Sequence, residues 1–140
     1  MKADRERLAK IIGDIEKYFA DLEVLDLRRQ DLSEKRNFYA ASMLLFSLLN
    51  RMIDLGEELV FMKKLSIPDS YKMIFTLLAR GKIISQSQAT KLIDLVHARN
   101  LLAHEYQDFG EEEVWEILQQ VVVIKEFVDS AKNIIKSHKE

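Results

Sequence analysis

Eight consecutive residues, Arg99–Tyr106, carry the densest set of chemically active side chains in the sequence. They include a guanidinium at Arg99, a carboxamide at Asn100, an imidazole at His104 and a phenol at Tyr106. The planar donor set of arginine binds a phosphate through paired hydrogen bonds, and histidine exchanges a proton near neutral pH. This combination suits cleavage of a phosphodiester bond.

The spacing of Arg99 and His104 restricts how the two side chains can meet. At about 100° per residue they would point about 140° apart on a continuous helix. Either the helix ends or distorts near Leu102, or Arg99 and His104 of two copies meet across a two-fold axis. The second arrangement supplies two histidines, one to remove the proton of a 2′-hydroxyl and one to protonate the leaving oxygen. The arginines would stabilise the charge that develops on the phosphate.

Spacing alone favours a structural interpretation of this pair. An arginine at the end of a helix commonly interacts with the helix dipole, and a histidine there commonly lies at the surface. His97 and His104 align at i, i+7 on an unbroken helix, but without a clear carboxylate or cysteine set we expect no metal site. His138 lies in a charged tail and is expected to be solvated. The sequence also has no glycine-flanked serine elbow and no phosphate-binding glycine loop.

Composition indicates one folded, helix-rich domain over residues 1–140. The chain has 48% apolar and 31% charged residues, one proline and four glycines. Its net charge of -2 shows no overall basic excess, so contact with RNA requires a local positive patch. The absence of cysteine excludes disulfides and thiolate catalysis. Because the N-terminal pattern is amphipathic and uninterrupted apolar runs are short, we expect a cytoplasmic protein without membrane insertion.

Apolar residues at three- and four-residue steps predict an all-α bundle of about five helices. The predicted spans are about 4–28, about 35–64, from the cap at 69–70 to about 80, from about 85 into the motif, and about 111–136. Capping patterns before the later helices are Asp31 with Glu34, Asp69-Ser70, Ser85 with Gln88, and Asp108–Glu111.

The second predicted helix is apolar on more than one side. Such a helix lies at the centre of a bundle or turns part of its surface to another subunit, and the pattern leaves both open. Asn50, Arg51 and Asp54 interrupt the apolar surface. If buried, these groups need polar partners; otherwise they mark where the helix surface meets water.

Residues 99–106 resemble the Arg-x4-His-x-Tyr signature of the HEPN superfamily, in particular the HepT toxins of the HepT/MntA toxin–antitoxin systems. The likeness is clearest over residues 67–118. Segments that carry it are Ile67-Pro68-Asp69-Ser70-Tyr71, Gly81-Lys82-Ile83-Ile84 and Glu113-Val114-Trp115. One departure is His97-Ala98, where that branch commonly has a glycine and a large apolar residue; it affects the packing before Arg99.

The resemblance implies a small helical homodimer that cleaves RNA without a metal or other cofactor, in a cleft built from both copies of the motif. Carried over by position, Arg99 and His104 would be the catalytic pair, and Asn100 would orient them or the phosphate. Tyr106 would match the tyrosine to which a minimal nucleotidyltransferase antitoxin (MntA-like) transfers AMP from ATP. The added charge and bulk would then block RNA.

Two other classes of function remain beside the endoribonuclease toxin. One is a non-catalytic subunit that binds a nucleotide or RNA and partners a minimal nucleotidyltransferase. In that case Arg99 would serve affinity and His104 would be replaceable. The other is a helical scaffold with no active site.

Overall fold

The computed structural model describes residues 4–104 and 109–138. Over these ranges the chain forms six α-helices, one 3-10 helix and no strand. The α-helices are α1 (Arg5–Leu25), α2 (Lys35–Met62), α3 (Tyr71–Arg80), α4 (Gln86–His104), α5 (Glu111–Gln120) and α6 (Val122–Ser137). The 3-10 helix is Arg29–Ser33, between α1 and α2. The predicted all-α bundle is confirmed.

Side-chain caps set the first residues of α3 and α4 as the sequence predicts. Ser70 Oγ accepts the N–H of Met73 at 3.1 Å, so α3 begins at the next residue. Ser85 Oγ accepts the N–H of Gln88 at 3.0 Å, and Gln88 Oε1 accepts the N–H of Ser85 at 3.4 Å. These side chains therefore fix the first residue of each helix.

One capping prediction is wrong in detail, and another falls partly outside the described residues. Asp31 Oδ2 accepts the N–H of Arg28 at 2.7 Å, so Asp31 caps the 3-10 helix instead of α2. Before α5, the N–H of Gly110 donates to Glu113 Oε1 at 2.5 Å. The carboxylate that caps α5 is therefore inside the helix, and the predicted capping residue Asp108 lies outside the described residues.

The predicted last helix is divided at Val121 into α5 and α6. The N–H of Val121 still donates to Ile117 O at 3.0 Å, but the N–H of Ile124 donates to Val121 O, only three residues back, at 2.9 Å. Val121 begins a run of three valines, whose branched β-carbons lower helix propensity. The turn leaves Val122 exposed.

α2 is the central helix of the bundle. It contacts all the other helices described here, and its buried side chains include Leu45, Leu49 and Met52. Gly56 permits close packing against α3, because a β-carbon there would lie 2.7 Å from Ile74 Cγ2. The breadth of the apolar surface of α2 is thus largely explained by burial.

By length and composition alone, α2 is also long and apolar enough to cross a membrane, with a mean hydropathy of 1.2 over 18 residues. The expectation of no membrane insertion was based on the short length of uninterrupted apolar runs, a criterion that does not register the average hydropathy of a long helix. A buried core helix meets the same criterion, and α2 packs against every other described element.

Part of α2 nevertheless remains uncovered. Tyr39 is 63% exposed and Met43, one turn later, is 70% exposed. The two lie on one face because residues four apart are neighbours on a helix. A second use of α2, as a surface for another subunit, therefore stays a prediction.

Candidate active site

Arg99, on α4, is held by two carboxamides. Its Nε donates to Asn50 Oδ1 on α2 at 2.8 Å, and its Nη1 donates to Asn100 Oδ1 at 3.2 Å. Because the guanidinium is planar, two hydrogen bonds from different nitrogens fix the orientation of the whole group.

Two aromatic rings add to the environment of the Arg99 guanidinium. Its central carbon lies 5.5 Å from the ring centroid of Phe46 on α2 and 5.4 Å from that of Tyr71, the first residue of α3. Attraction between a cation and the faces of aromatic rings stabilises this placement. Residues from α2, α3 and α4 therefore converge on one arginine.

Among residues 4–104 and 109–138, no carboxylate forms an ion pair with Arg99. The carboxamides that hold it are neutral. Four other arginines differ from it in forming an ion pair with Asp or Glu: Arg7, Arg28, Arg29 and Arg51. Arg5, Arg36 and Arg80 resemble Arg99 in forming none among the described residues.

An open groove of about 700 Å³ lies beside Arg99, between the start of α3 and the second half of α4. Its lining includes two basic side chains, Lys72 and Arg99, and one carboxylate, Asp69. The N-terminal turn of α3 also lines it, and the positive pole of a helix dipole favours an anion. We call this space the Arg99 groove; its charge suits a phosphate.

α4 is helical through His104, the last described residue before 109, so its backbone is continuous at Leu102. Leu102 is buried, which anchors this last turn in the core. On the helical backbone Arg99 and His104 are about 140° apart. The continuous backbone gives no support to the predicted break near Leu102, and the arrangement in which two copies meet stays a prediction. The His104 side chain and all of Tyr106 lie outside the described residues.

The other histidines have separate positions. His97 is exposed and lines the Arg99 groove, and His138 follows the last turn of α6. Over the residues that the structure describes, no group of three or more His, Cys, Asp or Glu side chains is arranged to hold a metal ion.

Sequence reasoning identified Arg99 and Asn100 but not the three residues that surround Arg99 from other helices. Asn50 gave a signal, as a polar residue within an apolar helix that needs a partner if buried. Phe46 precedes it by one helical turn, and Tyr71 follows the predicted cap. Their meeting with Arg99 depends on how α2 and α3 pack against α4, which no local pattern reports.

Comparison with known proteins identifies the family. Residues 8–131 match the family model described as Ribonuclease HepT-like. The chain belongs to the HepT-like family. The resemblance carried by residues 99–106 is thereby confirmed.

Among curated proteins, this HepT-like chain is similar to the mRNA nuclease HepT of Shewanella oneidensis. The two are 31% identical over 81 residues, which is 57% of this chain and 61% of the relative. The chain thus matches less than two-thirds of that protein's length.

Solved structures share the fold, among them the following two. A cytosolic protein of unknown function, YutE from Bacillus subtilis, has a TM-score of 0.86 at 19% identity, over 98% of this chain and 94% of that one. A tri-AMPylated HEPN toxin of Shewanella oneidensis, in complex with an MNT antitoxin, has a TM-score of 0.82 at 21% identity, over 90% of this chain and 96% of the toxin. The HEPN-like architecture of the HepT-like chain is therefore established.

Proposed function

We propose that the protein is the toxin of a toxin–antitoxin system and acts as a metal-independent endoribonuclease in the cytoplasm. Membership of the HepT-like family supports the activity, as does the name of the curated relative, an mRNA nuclease. The observation that carries the proposal is the guanidinium of Arg99. It is fixed by neutral partners beside an open groove, with its charge available to a phosphate.

In the proposed reaction, Arg99 binds the scissile phosphate and stabilises the additional charge of the transition state. Asn100 helps to hold the orientation of the guanidinium by accepting a hydrogen bond from Nη1. His104 acts as acid or base: one copy takes the proton of the 2′-hydroxyl, and the other gives a proton to the leaving oxygen. Each of these roles is carried over to this chain from the family that residues 99–106 resemble.

The mechanism requires a homodimer, since one chain supplies one arginine and one histidine, five positions apart on α4. The exposed residues Tyr39 and Met43 support such a dimer. They continue along α2, at steps of three and four residues, to Phe46 and Asn50, which contact Arg99. A second copy covering this face would place the two Arg99 grooves next to each other.

We further propose that AMP transfer to Tyr106 by a minimal nucleotidyltransferase antitoxin silences the protein. The Shewanella oneidensis toxin of similar fold is AMPylated and is bound to an MNT antitoxin. Tyr106 follows His104 by two residues. An attached AMP would bring negative charge close to the phosphate-binding groove and oppose the entry of RNA.

Cleavage of single-stranded RNA by the purified protein with unmodified Tyr106 tests the proposal. Arg99→Ala and His104→Ala should each lower the rate by at least about 100-fold, as expected for loss of an electrostatic stabiliser or an acid–base group. Arg36→Ala, which removes an exposed arginine from α2, should leave the rate unchanged. The proposal is abandoned if the wild type cuts no RNA and neither variant relieves a growth defect.

A second candidate, a non-catalytic subunit that binds RNA or a nucleotide, is favoured by the groove itself, because Arg99 and Lys72 can hold a phosphate without cleaving it. His104→Ala separates the two functions. Binding of RNA should survive this substitution in both cases. If the protein is an enzyme, the wild type cleaves RNA and the variant does not; if it only binds, neither cleaves.

A further inference from the structure

Asn50 and Arg51 are adjacent on α2, yet they illustrate two ways of holding an arginine. The guanidinium of Arg51 is held by two carboxylates, with Nη2 2.7 Å from Asp14 Oδ2 and Nη1 3.0 Å from Asp54 Oδ2. The guanidinium of Arg99 is held by the uncharged Oδ1 of Asn50. The first arrangement fixes the arginine and compensates its charge; the second only fixes it.

The contact between Asn50 and Arg99 joins two helices. The residues are 49 positions apart, and the hydrogen bond between them is partly buried. It occupies Nε, while Asn100 accepts from Nη1. Among the described residues none accepts a hydrogen bond from Nη2, and Arg99 is one of the residues that line the Arg99 groove.

We propose that Asn50 is a positioning residue for RNA: it aims Arg99 into the groove and, being neutral, leaves the arginine's charge for the phosphate. The inference rests on the proposed function. A carboxylate at position 50 would form a stronger hydrogen bond to Arg99 than the amide does. A residue that served only to hold the two helices together would therefore be better as Asp than as Asn.

Asn50→Asp separates aiming from charge, since it retains an acceptor oxygen and adds one negative charge. The affinity for a single-stranded RNA oligonucleotide, measured with His104→Ala present to prevent cleavage, should fall about tenfold. The slope of log K against log salt should become shallower by about 0.7, the value for one phosphate contact on a single strand. The melting temperature should stay equal or rise.

Asn133→Asp is the matched control, because it makes the same change of charge at an exposed position of α6. Its affinity for the same oligonucleotide should stay within about twofold of the parent protein, as expected for a screened distant charge. A general effect of net charge on RNA binding would instead lower the affinity of both variants equally.

Asn50→Ala tests the aiming alone. The guanidinium remains but loses its acceptor, so kcat should fall about 10- to 100-fold with a smaller change in KM. In NMR spectra the Nε–H signal of Arg99 should be protected from exchange in the wild type and lose that protection in the variant. This second measurement needs neither RNA nor activity.

The inference is overturned if Asn50→Asp binds RNA as tightly as Asn133→Asp, or if the Arg99 Nε–H signal is unchanged in Asn50→Ala. Loss of folded structure in Asn50→Asp, judged by circular dichroism, would also contradict it, since a carboxylate beside a guanidinium should be tolerated. Failure of the proposed function gives a different result from failure of this inference. In that case the wild type cuts no RNA, whether or not the Arg99 Nε–H signal changes in Asn50→Ala.

Discussion

Arg51 on α2 and Asp14 on α1 form a charged link between the two longest helices, with Nη2 2.7 Å from Oδ2. Lys10, one turn before Asp14, donates to the other carboxylate oxygen at 3.0 Å. The hydrogen bond from Lys10, with that from Arg51, holds the pKa of Asp14 below its ordinary value of 3.8 in spite of desolvation, which raises it. The folded state therefore favours the ionised carboxylate.

Asp14→Asn should lower the melting temperature by about 2 °C at pH 7. A carboxyl whose pKa is lowered by folding stabilises the folded state at any pH above its pKa in the unfolded chain, about 3.8. This stabilisation is lost as the pH falls from 3.8 through the pKa of the folded state. Scanning calorimetry should thus show the difference from wild type shrinking between pH 7 and pH 3. Asp21→Asn, on the same helix, is the control and should change little. An equal difference at both pH values would contradict the role of the carboxylate.

Gly56→Ala should destabilise the protein by about 1–3 kcal/mol in urea denaturation. The added β-carbon would lie 2.7 Å from Ile74 Cγ2 and 3.2 Å from the ring of Phe75, in the contact between α2 and α3. This clash outweighs the gain of about 1 kcal/mol that alanine brings to a helix. Gly13→Ala on α1 meets nothing within 4 Å and should stabilise by about 0.5–1 kcal/mol. Stabilisation by both substitutions would refute the close approach.

Local signals in the sequence were sufficient for most of the secondary structure. Caps at Ser70 and Ser85 and the apolar periodicity determine where α3 and α4 begin, because those interactions span a few residues. The turn at Val121 escaped prediction, since the apolar periodicity of the segment continues on both sides of it. The three consecutive valines lower helix propensity there, but the break itself is seen only in the hydrogen bonding of the folded chain.

The site was predictable in part. Arg99 and Asn100 follow from the motif, which is contiguous in sequence. Asn50, Phe46 and Tyr71 reach Arg99 from other helices, and their role depends on tertiary packing. The predicted roles of His104 and Tyr106 stay predictions.

Met43→Glu should convert the proposed homodimer to a monomer. Met43 is 70% exposed, so the substitution should not disturb the folded chain, but a carboxylate buried in an apolar interface is strongly unfavourable. Light scattering and circular dichroism would measure the two effects. Val24→Glu on α1, at a residue 83% exposed, is the control and should leave the dimer intact. A dimer that persists in Met43→Glu would exclude this face of α2.

Tyr106→Phe should remain an active ribonuclease in the presence of the antitoxin and ATP. The variant lacks the phenol oxygen that would accept AMP in the proposed silencing, so the negative charge would not be added. Intact mass should show AMP on the wild type and on Tyr18→Phe, a control on α1, but none on Tyr106→Phe. AMP on the Phe variant would place the modification at another residue.

Mixing His104→Ala with the wild type tests whether one cleft needs both copies. If the two kinds of subunit are mixed in equal amounts and assort randomly, about a quarter of the dimers hold two intact chains. The activity should then be about a quarter of that of the same total amount of wild-type protein. If each chain carries an independent site, half of the activity should remain. Co-refolded mixtures assayed on RNA measure this directly, and a mixture with Arg36→Ala should lose none. A linear decline with the wild-type fraction would overturn the shared cleft and require Arg99 and His104 of one chain to act together, which the continuous helix from Gln86 to His104 opposes.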